Sequence, residues 1–128
     1  MLQEEYVSDA VELLKKLIAT PSVSRNEKEA ADIMEQTIRS YGFEPQREAN
    51  NIWMIDPHYD ESRPTLLLNA HIDTVKPVAS WTRDPFHRML KMAYFTVWAA
   101  TIAVAVSVRS SRFSECLQRS LSAITLFI

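Results

Sequence analysis

Glycine is almost absent from this chain of 128 residues, in which Gly42 stands alone. Average usage of roughly 7% predicts about nine glycines in a chain of this length. An α/β domain of such composition lacks the residue that tight turns and close backbone approaches usually require. Acidic residues and histidine are also missing late in the chain, where only Glu115 follows Phe86 and no histidine follows His87. A site that needs several such side chains cannot draw them from the last third.

Cysteine is equally scarce, since Cys116 is the only one. A single cysteine excludes an intrachain disulfide and a cysteine zinc cage, and it favours a reducing compartment. Residues 1–5 contain no basic segment leading into an apolar core, which argues against a secretory signal. We therefore expect a cytoplasmic protein in which Cys116 is a free thiol, because no ordered histidine or aspartate accompanies it.

The balance of charge reverses along the chain. Residues 1–86 carry nine Lys and Arg against fifteen Asp and Glu, a net of −6, whereas residues 87–128 carry five against one, a net of +4. Such a break usually marks a boundary, so we treat the two ranges as separate segments. The basic segment includes Arg109, Arg112 and Arg119, but arginines without a recognition motif are usually solvated, and nucleic-acid binding is not expected.

Apolar residues at helical spacing predict a first helix near the N-terminus. Its apolar stripe consists of Val7, Val11, Leu14 and Ile18. Glu12, Lys15 and Lys16 take the other side, and Thr20-Pro21 ends the helix.

A second amphipathic helix is predicted after that proline. Ser24 and Glu27 have the spacing of a capping box at its start. The apolar stripe that follows is Ala30, Met34, Ile38 and Tyr41. Gly42 is well placed as the left-handed residue that ends the helix.

The period then changes to that of strands. Residues 52–55 form a short apolar run behind the turn-prone pair Asn50-Asn51, which predicts a strand entered from a hairpin. Residues 65–70 form a continuous apolar run of the kind buried on both faces of a sheet. Two helices, a hairpin and a buried strand indicate an α/β domain, and ligands in such folds gather at the carboxyl ends of strands.

The most informative residues lie directly after the second strand, in the sequence His71-Ile72-Asp73. Alternate residues of an extended chain project the same way, so a histidine and a carboxylate leave the strand on one side, a common start for a metal site. The triplet alone is weak evidence, because a histidine at a strand end is more often a hydrogen-bonded structural residue. His58 and His87 do not extend the motif, and we expect both to be solvated.

Several separated motifs then make a family resemblance specific. They are Leu17-Ile18-Ala19-Thr20-Pro21-Ser22-Val23-Ser24, Tyr41-Gly42-Phe43, the run from Leu66 to Val75, Trp81, and Asp84-Pro85-Phe86. In this order and spacing they resemble the zinc-dependent M20-type amidohydrolases, which include acetylornithine deacetylase, succinyl-diaminopimelate desuccinylase and related aminoacylases and carboxypeptidases. The resemblance covers residues 1–86, as the N-terminal part of a zinc-hydrolase catalytic domain.

The resemblance implies a role for two residues. His71 would ligate one zinc of a two-zinc centre, and Asp73 would be the nearby catalytic-site carboxylate that orients the metal-site scaffold. The family hydrolyses an amide of a small N-acyl amino acid with a zinc- or cobalt-activated water and a glutamate base. The bridging aspartate, the glutamates and the distant histidine of the family belong downstream of Phe86, where this sequence has no match for them.

Residues 92–108 form an uncharged run flanked by basic residues. A membrane helix needs roughly 20 residues, so this run of alanine and threonine is a short and weak candidate. A membrane partner is therefore not expected, although a small single-pass membrane protein with a span near 92–108 stays open as the alternative function.

The codons of the tail, read in the frame that begins one base earlier, recover a glycine-rich motif. When the third base of each codon is taken with the first two of the next, Met92-Ala93 and Trp98-Ala99 both force glycine. Over residues 91–105 the permitted reading includes Asn-Gly-x-Leu-Tyr-Gly-Leu-Gly-Ser-Asn-Asp-Cys-Gly-Gly, which resembles the family's segment ending in the metal-bridging aspartate. We therefore interpret residues 87–128 as an out-of-frame tail, with a helix there left open.

The sequence thus predicts a truncated hydrolase of N-acyl amino acids, most like acetylornithine deacetylase, that is inactive as this chain. Ordered structure is expected in residues 1–86 and not in the tail. A third possibility is a compact binding module in which His71 and Asp73 are merely structural.

Overall fold

A computed structural model of the chain describes residues 2–86, 90–91, 94–95 and 122–127. Its elements in chain order are α1 (Leu2–Ile18), α2 (Lys28–Ser40), β1 (Gln46–Glu48), β2 (Asn51–Ile55), β3 (Thr65–Ala70), β4 (Leu90–Lys91), β5 (Tyr94–Phe95) and β6 (Ser122–Phe127). Both helices and a four-stranded sheet are present, which confirms the α/β class expected from the sequence.

Helix α1 buries a face that is rotated from the stripe predicted for it. Leu13, Leu17 and Ile18 are buried, whereas Val7 is 62% exposed and Val11 is half-buried. The helix packs against α2 through positions 10, 13 and 17, which have the same helical spacing as the predicted set. Periodicity therefore identified the helix correctly. The buried face, however, is rotated about the helix axis from the predicted apolar stripe.

Helix α2 has the predicted face and the predicted end. Ala30, Met34 and Ile38 are buried in the core. Gly42 has a φ of +84°, its N–H donates to the carbonyl of Arg39 at 2.9 Å, and the N–H of the next residue donates to the carbonyl of Ile38 at 3.3 Å. This pair of bonds is a Schellman motif, in which glycine takes the left-handed conformation without a Cβ penalty.

The predicted capping box at the start of α2 does not form. The N-cap residue is Glu27, and its side chain makes no capping hydrogen bond to the helix. Its carboxylate instead accepts hydrogen bonds from the N–H of Arg25 and from the side chain of Asn50, which lies 2.9 Å away. Ser24, the other member of the predicted box, bonds to Asp73.

The hairpin predicted before the first long strand is present as β1 and β2. Glu48 pairs with Asn51, so the connecting loop is Ala49-Asn50. Ala49 has a φ of +54°, a left-handed conformation of the kind that two-residue hairpin loops require. Along β2, Ile52 and Met54 are buried against the helices while Ile55 is exposed, as expected for a strand with one covered face.

The four strands are arranged in the order β1-β2-β6-β3. β2 is antiparallel to β6, and β3 is parallel to β6. The bounds predicted for β3 are confirmed, but its predicted burial on both faces is wrong, because Leu67 is 55% exposed and exposed residues alternate with half-buried ones. Within the described residues β3 pairs with β6 on one edge, and its outer face has no cover.

The expectation that ordered structure is confined to residues 1–86 is also wrong. β6 comes from the segment 87–128 and lies between β2 and β3, while β4 and β5 form a separate antiparallel pair. The described parts of this segment are strands. Most of the candidate span at 92–108 lies outside the described residues, and among those described no helix is long and apolar enough to cross a membrane.

Arg47 of β1 forms ion pairs with two carboxylates of α2. Its Nη1 lies 2.6 Å from Oδ1 of Asp32 and 2.9 Å from Oε2 of Glu35. Hydrogen bonds from Lys28 and then Arg47 lower the pKa of Asp32, and hydrogen bonds from Arg47 and then Arg39 lower the pKa of Glu35. The ionised forms of both carboxyls are therefore favoured by folding.

This network should make stability depend on pH. Since both carboxyls have a folded-state pKa below the ordinary value, their contribution is present above about pH 4.5 and is lost as pH falls through the depressed values. Arg47→Gln should shrink the difference between the urea midpoints measured at neutral pH and at acid pH. Lys16→Gln, which removes a cation on α1 outside this network, should leave that difference unchanged. An undiminished difference in Arg47→Gln would contradict the assignment.

Candidate functional site

The burial of the Ile72 side chain sets the orientation of His71 and Asp73, the residues on either side of it after β3. Ile72 is 4% exposed and belongs to the core that also contains Met34 and Ile52. Because successive residues of extended chain point to opposite sides, burial of Ile72 turns His71 and Asp73 outward. The apolar residue between them thus explains why a histidine and a carboxylate emerge together at the carboxyl end of β3.

His71 and Asp73, which leave β3 two residues apart, contact each other directly. Nδ1 of His71 lies 2.9 Å from Oδ1 of Asp73 and 3.2 Å from the carbonyl oxygen of the same residue. The imidazole is exposed, and the carboxylate is about one-third exposed. This contact engages Nδ1, so Nε2 is the ring nitrogen that can accept a ligand.

Ser24 is part of the same group, although the sequence assigned it to a helix cap. Its hydroxyl donates a hydrogen bond to Oδ2 of Asp73, the oxygen that does not contact His71. The segments are also joined by their backbones: the N–H of Thr74 donates to the carbonyl of Ser22 at 2.7 Å, and Val23 forms a parallel bridge with Thr74. The loop after α1 therefore lies along the strand exit and adds a third residue to the site.

The environment of Asp73 favours its ionised form. The hydroxyl of Ser24 is the main cause of a lowered pKa for this carboxyl, burial opposes it, and the contact with His71 adds to it. An ionised carboxylate is the form that accepts hydrogen bonds from both neighbours at once. The site therefore holds a negative charge beside an exposed imidazole.

The segment with Asp84-Pro85-Phe86 lies beside Thr74, the residue that follows Asp73. Oδ1 of Asp84 accepts a hydrogen bond from the N–H of Phe86 at 2.9 Å, which closes a tight turn. Pro85 and Phe86 line a cleft of about 20 Å³ together with Thr74 and the end of α1. That volume accommodates about one water and is too small for a substrate.

At this site the described residues supply one imidazole, that of His71, and no set of metal ligands. Nowhere in the part of the chain that the structure describes do three His, Cys, Asp or Glu side chains group closely enough to hold a metal ion. His58 lies exposed in the loop after β2, as predicted. Six residues singled out in the sequence fall outside the described residues: His87, Arg109, Arg112, Glu115, Cys116 and Arg119. The donors present fit one metal ligand and not a complete tetrahedral site.

The sequence of this chain is similar to those of several curated enzymes. The chain is 38% identical over 85 residues to the succinyl-diaminopimelate desuccinylase of Phenylobacterium zucineum, a match that covers 61% of this chain and 21% of that protein. The desuccinylase of Blochmanniella floridana is 33% identical over 87 residues, covering 62% and 23%. The chain is related to these desuccinylases. The desuccinylase of Coxiella burnetii is 30% identical over 94 residues, covering 69% and 24%.

Solved structures show that this relative of the desuccinylases has the fold of M20-family enzymes. An M20-family metallo-carboxypeptidase from Sulfolobus solfataricus has a TM-score of 0.65 at 18% identity and covers 96% of this chain and 30% of that one. The aminoacylhistidine dipeptidase of Vibrio alginolyticus has a TM-score of 0.56 at 17% identity, covering 91% and 26%. No protein-family profile matches the chain. The curated relatives and the solved structures confirm the family resemblance. The chain spans about a fifth to a quarter of the length of these curated relatives.

Proposed function

We propose that residues 1–86 form part of the catalytic domain of a zinc-dependent hydrolase of N-acyl amino acids, with His71 as one metal ligand and Asp73 as the carboxylate that orients it. The observation that supports this most directly is the 2.9 Å contact between Nδ1 of His71 and Asp73 at the carboxyl end of β3. Histidines that bind metals through one nitrogen commonly donate the other N–H to a carboxylate.

The metal, when held by a complete ligand set, polarises an amide carbonyl and lowers the pKa of a bound water. Within the described residues His71 and Asp73 do not complete such a set, so we propose that this chain alone is inactive. The acyl group is proposed as succinyl or acetyl: the curated relatives are named for the first, and the sequence motifs also resemble acetylornithine deacetylases. The cytoplasm remains the predicted compartment.

The purified chain should hydrolyse neither N-succinyl-diaminopimelate nor N-acetylornithine above background when zinc or cobalt is added. One histidine and one carboxylate cannot together provide a stable metal site, an activated water and a general base. The desuccinylase of Phenylobacterium zucineum, assayed under the same conditions, is the positive control. Metal-dependent turnover that disappears in His71→Ala would show that the remaining ligands are within this chain.

The nucleotide sequence provides a separate test of the truncation. We propose that a one-base correction of the reading frame just after the codon of Phe86 restores an open frame that encodes the glycine-rich motif and the rest of a hydrolase. Sequencing the gene decides this directly. Stop codons soon after the motif in that frame, or codons that spell no such motif, would rule out the frameshift and leave the hydrolase assignment of residues 1–86 standing.

A further inference from the structure

The two oxygens of the Asp73 carboxylate have different partners. Oδ1 contacts Nδ1 of His71 at 2.9 Å, and Oδ2 accepts the hydrogen bond of the Ser24 hydroxyl. A carboxylate bonded through a single oxygen can still rotate about its Cβ–Cγ bond, whereas one bonded through both is fixed in one plane. Ser24 thus restrains the group that contacts the histidine.

Ser24 is itself held in place by bonds that do not involve its side chain. Ser22, two residues earlier, is 2% exposed, and its carbonyl accepts the N–H of Thr74 at 2.7 Å. Val23 pairs with Thr74 as a parallel bridge. The backbone therefore fixes the position of the hydroxyl relative to Asp73, and removal of that hydroxyl should leave the loop where it is.

The surroundings of His71 also determine which ring nitrogen carries the proton. Nδ1 faces two acceptors, the carboxylate oxygen at 2.9 Å and the main-chain carbonyl of Asp73 at 3.2 Å. Neither a carboxylate nor a carbonyl can donate, so in the neutral imidazole Nδ1 has to be the donor. The lone pair is then on Nε2, on the side of the ring away from Asp73.

We propose that Ser24 is a positioning residue, which fixes the Asp73 carboxylate and thereby selects the His71 tautomer that has its lone pair on Nε2. The tautomer selection stands on the geometry of the three residues alone. Its use, to present Nε2 to a metal, rests on the proposed function. Ser24 acts through Asp73 and does not contact the imidazole nitrogen that would bind.

The tautomer can be measured by NMR through the nitrogen chemical shifts of the imidazole, at about pH 8.5 where an ordinary histidine is neutral. Wild-type His71 should be mainly in the Nδ1–H form. In Ser24→Ala the ratio of Nδ1–H to Nε2–H should fall about threefold to tenfold, as loss of one hydrogen bond of ordinary net strength would produce. The signals of exposed His58 provide an internal reference.

Matched variants separate positioning from a general effect on folding. Ser24→Thr keeps the hydroxyl and should retain the wild-type ratio, whereas Ser24→Val has nearly the same shape without it and should behave like Ser24→Ala. Ser62→Ala is the control, because Ser62 makes an equivalent bond to Asp60 at 2.6 Å in an exposed loop. This control should leave His71 unchanged.

The result that overturns the proposal is a His71 tautomer ratio that is the same in wild type, Ser24→Val and Ser24→Ala. A shift of equal size in Ser24→Thr would also overturn it, because that variant retains the donor. The tautomer ratios of wild type and variants are measured without metal or substrate, so they do not depend on the turnover assays. Failure of the hydrolase proposal would leave the tautomer prediction intact, and the reverse is also true.

Discussion

Replacement of Ile52 by alanine should lower the free energy of unfolding by about 2–5 kcal/mol. Ile52, on β2, is 0% exposed and packs in the core with Met34 and Ile72. Deleting three buried carbons removes their transfer free energy and leaves a cavity between the sheet and the helices. Urea denaturation followed by circular dichroism measures the loss, and Ile52→Val should show a smaller one of about 0.5–1.5 kcal/mol.

The matched control for this prediction is Val7→Ala. Sequence periodicity placed Val7 in the apolar stripe of α1, but the residue is 62% exposed. Its replacement should change the free energy of unfolding by no more than about 0.5 kcal/mol. Equal losses in Ile52→Ala and Val7→Ala would mean that the core does not lie between β2 and the helices.

Local signals in the sequence predicted the elements of residues 1–86 well. The stripe of α2, the glycine that ends it, the hairpin and the bounds of β3 all depend on residues close together in the chain. Which side of α1 is buried and how far β3 is covered depend instead on neighbouring elements. The burial of Val7 and Leu67 was therefore predicted wrongly, because a periodic pattern does not say what packs against it.

The candidate site was predicted in part for a related reason. His71 and Asp73 are two residues apart, so their contact follows from strand geometry. Ser24 and Asp73 are 49 residues apart, and no spacing rule connects them. The capping-box pattern at Ser24 even favoured a local role, since short polar side chains serve both caps and tertiary contacts. The stretch from Leu17 to Ser24 that resembles the family was the one signal that pointed to that loop.

The largest departure from the sequence interpretation concerns the segment after Phe86. An out-of-frame tail has no selected reason to pair with a sheet, yet β6 pairs with β2 on one side and β3 on the other. A short run of mainly apolar residues such as Ser122–Phe127 can nevertheless pair with the unpaired edges of two strands by backbone hydrogen bonds alone. The frameshift hypothesis and the strand are therefore compatible, and stability measurements determine how much the strand contributes.

Thr125→Pro should destabilise the chain by about 1–3 kcal/mol, because Thr125 pairs with Met54 of β2 and with Leu68 of β3 in the middle of β6. Proline removes a ladder donor and is excluded from central strands, and the partner carbonyl then loses its hydrogen bond. Thr125→Val retains the N–H and should leave the free energy of unfolding within about 1 kcal/mol of wild type. Urea denaturation of both variants measures the difference. A proline variant as stable as wild type would show that residues 122–127 contribute nothing to the fold, which is the result expected of an accidental tail.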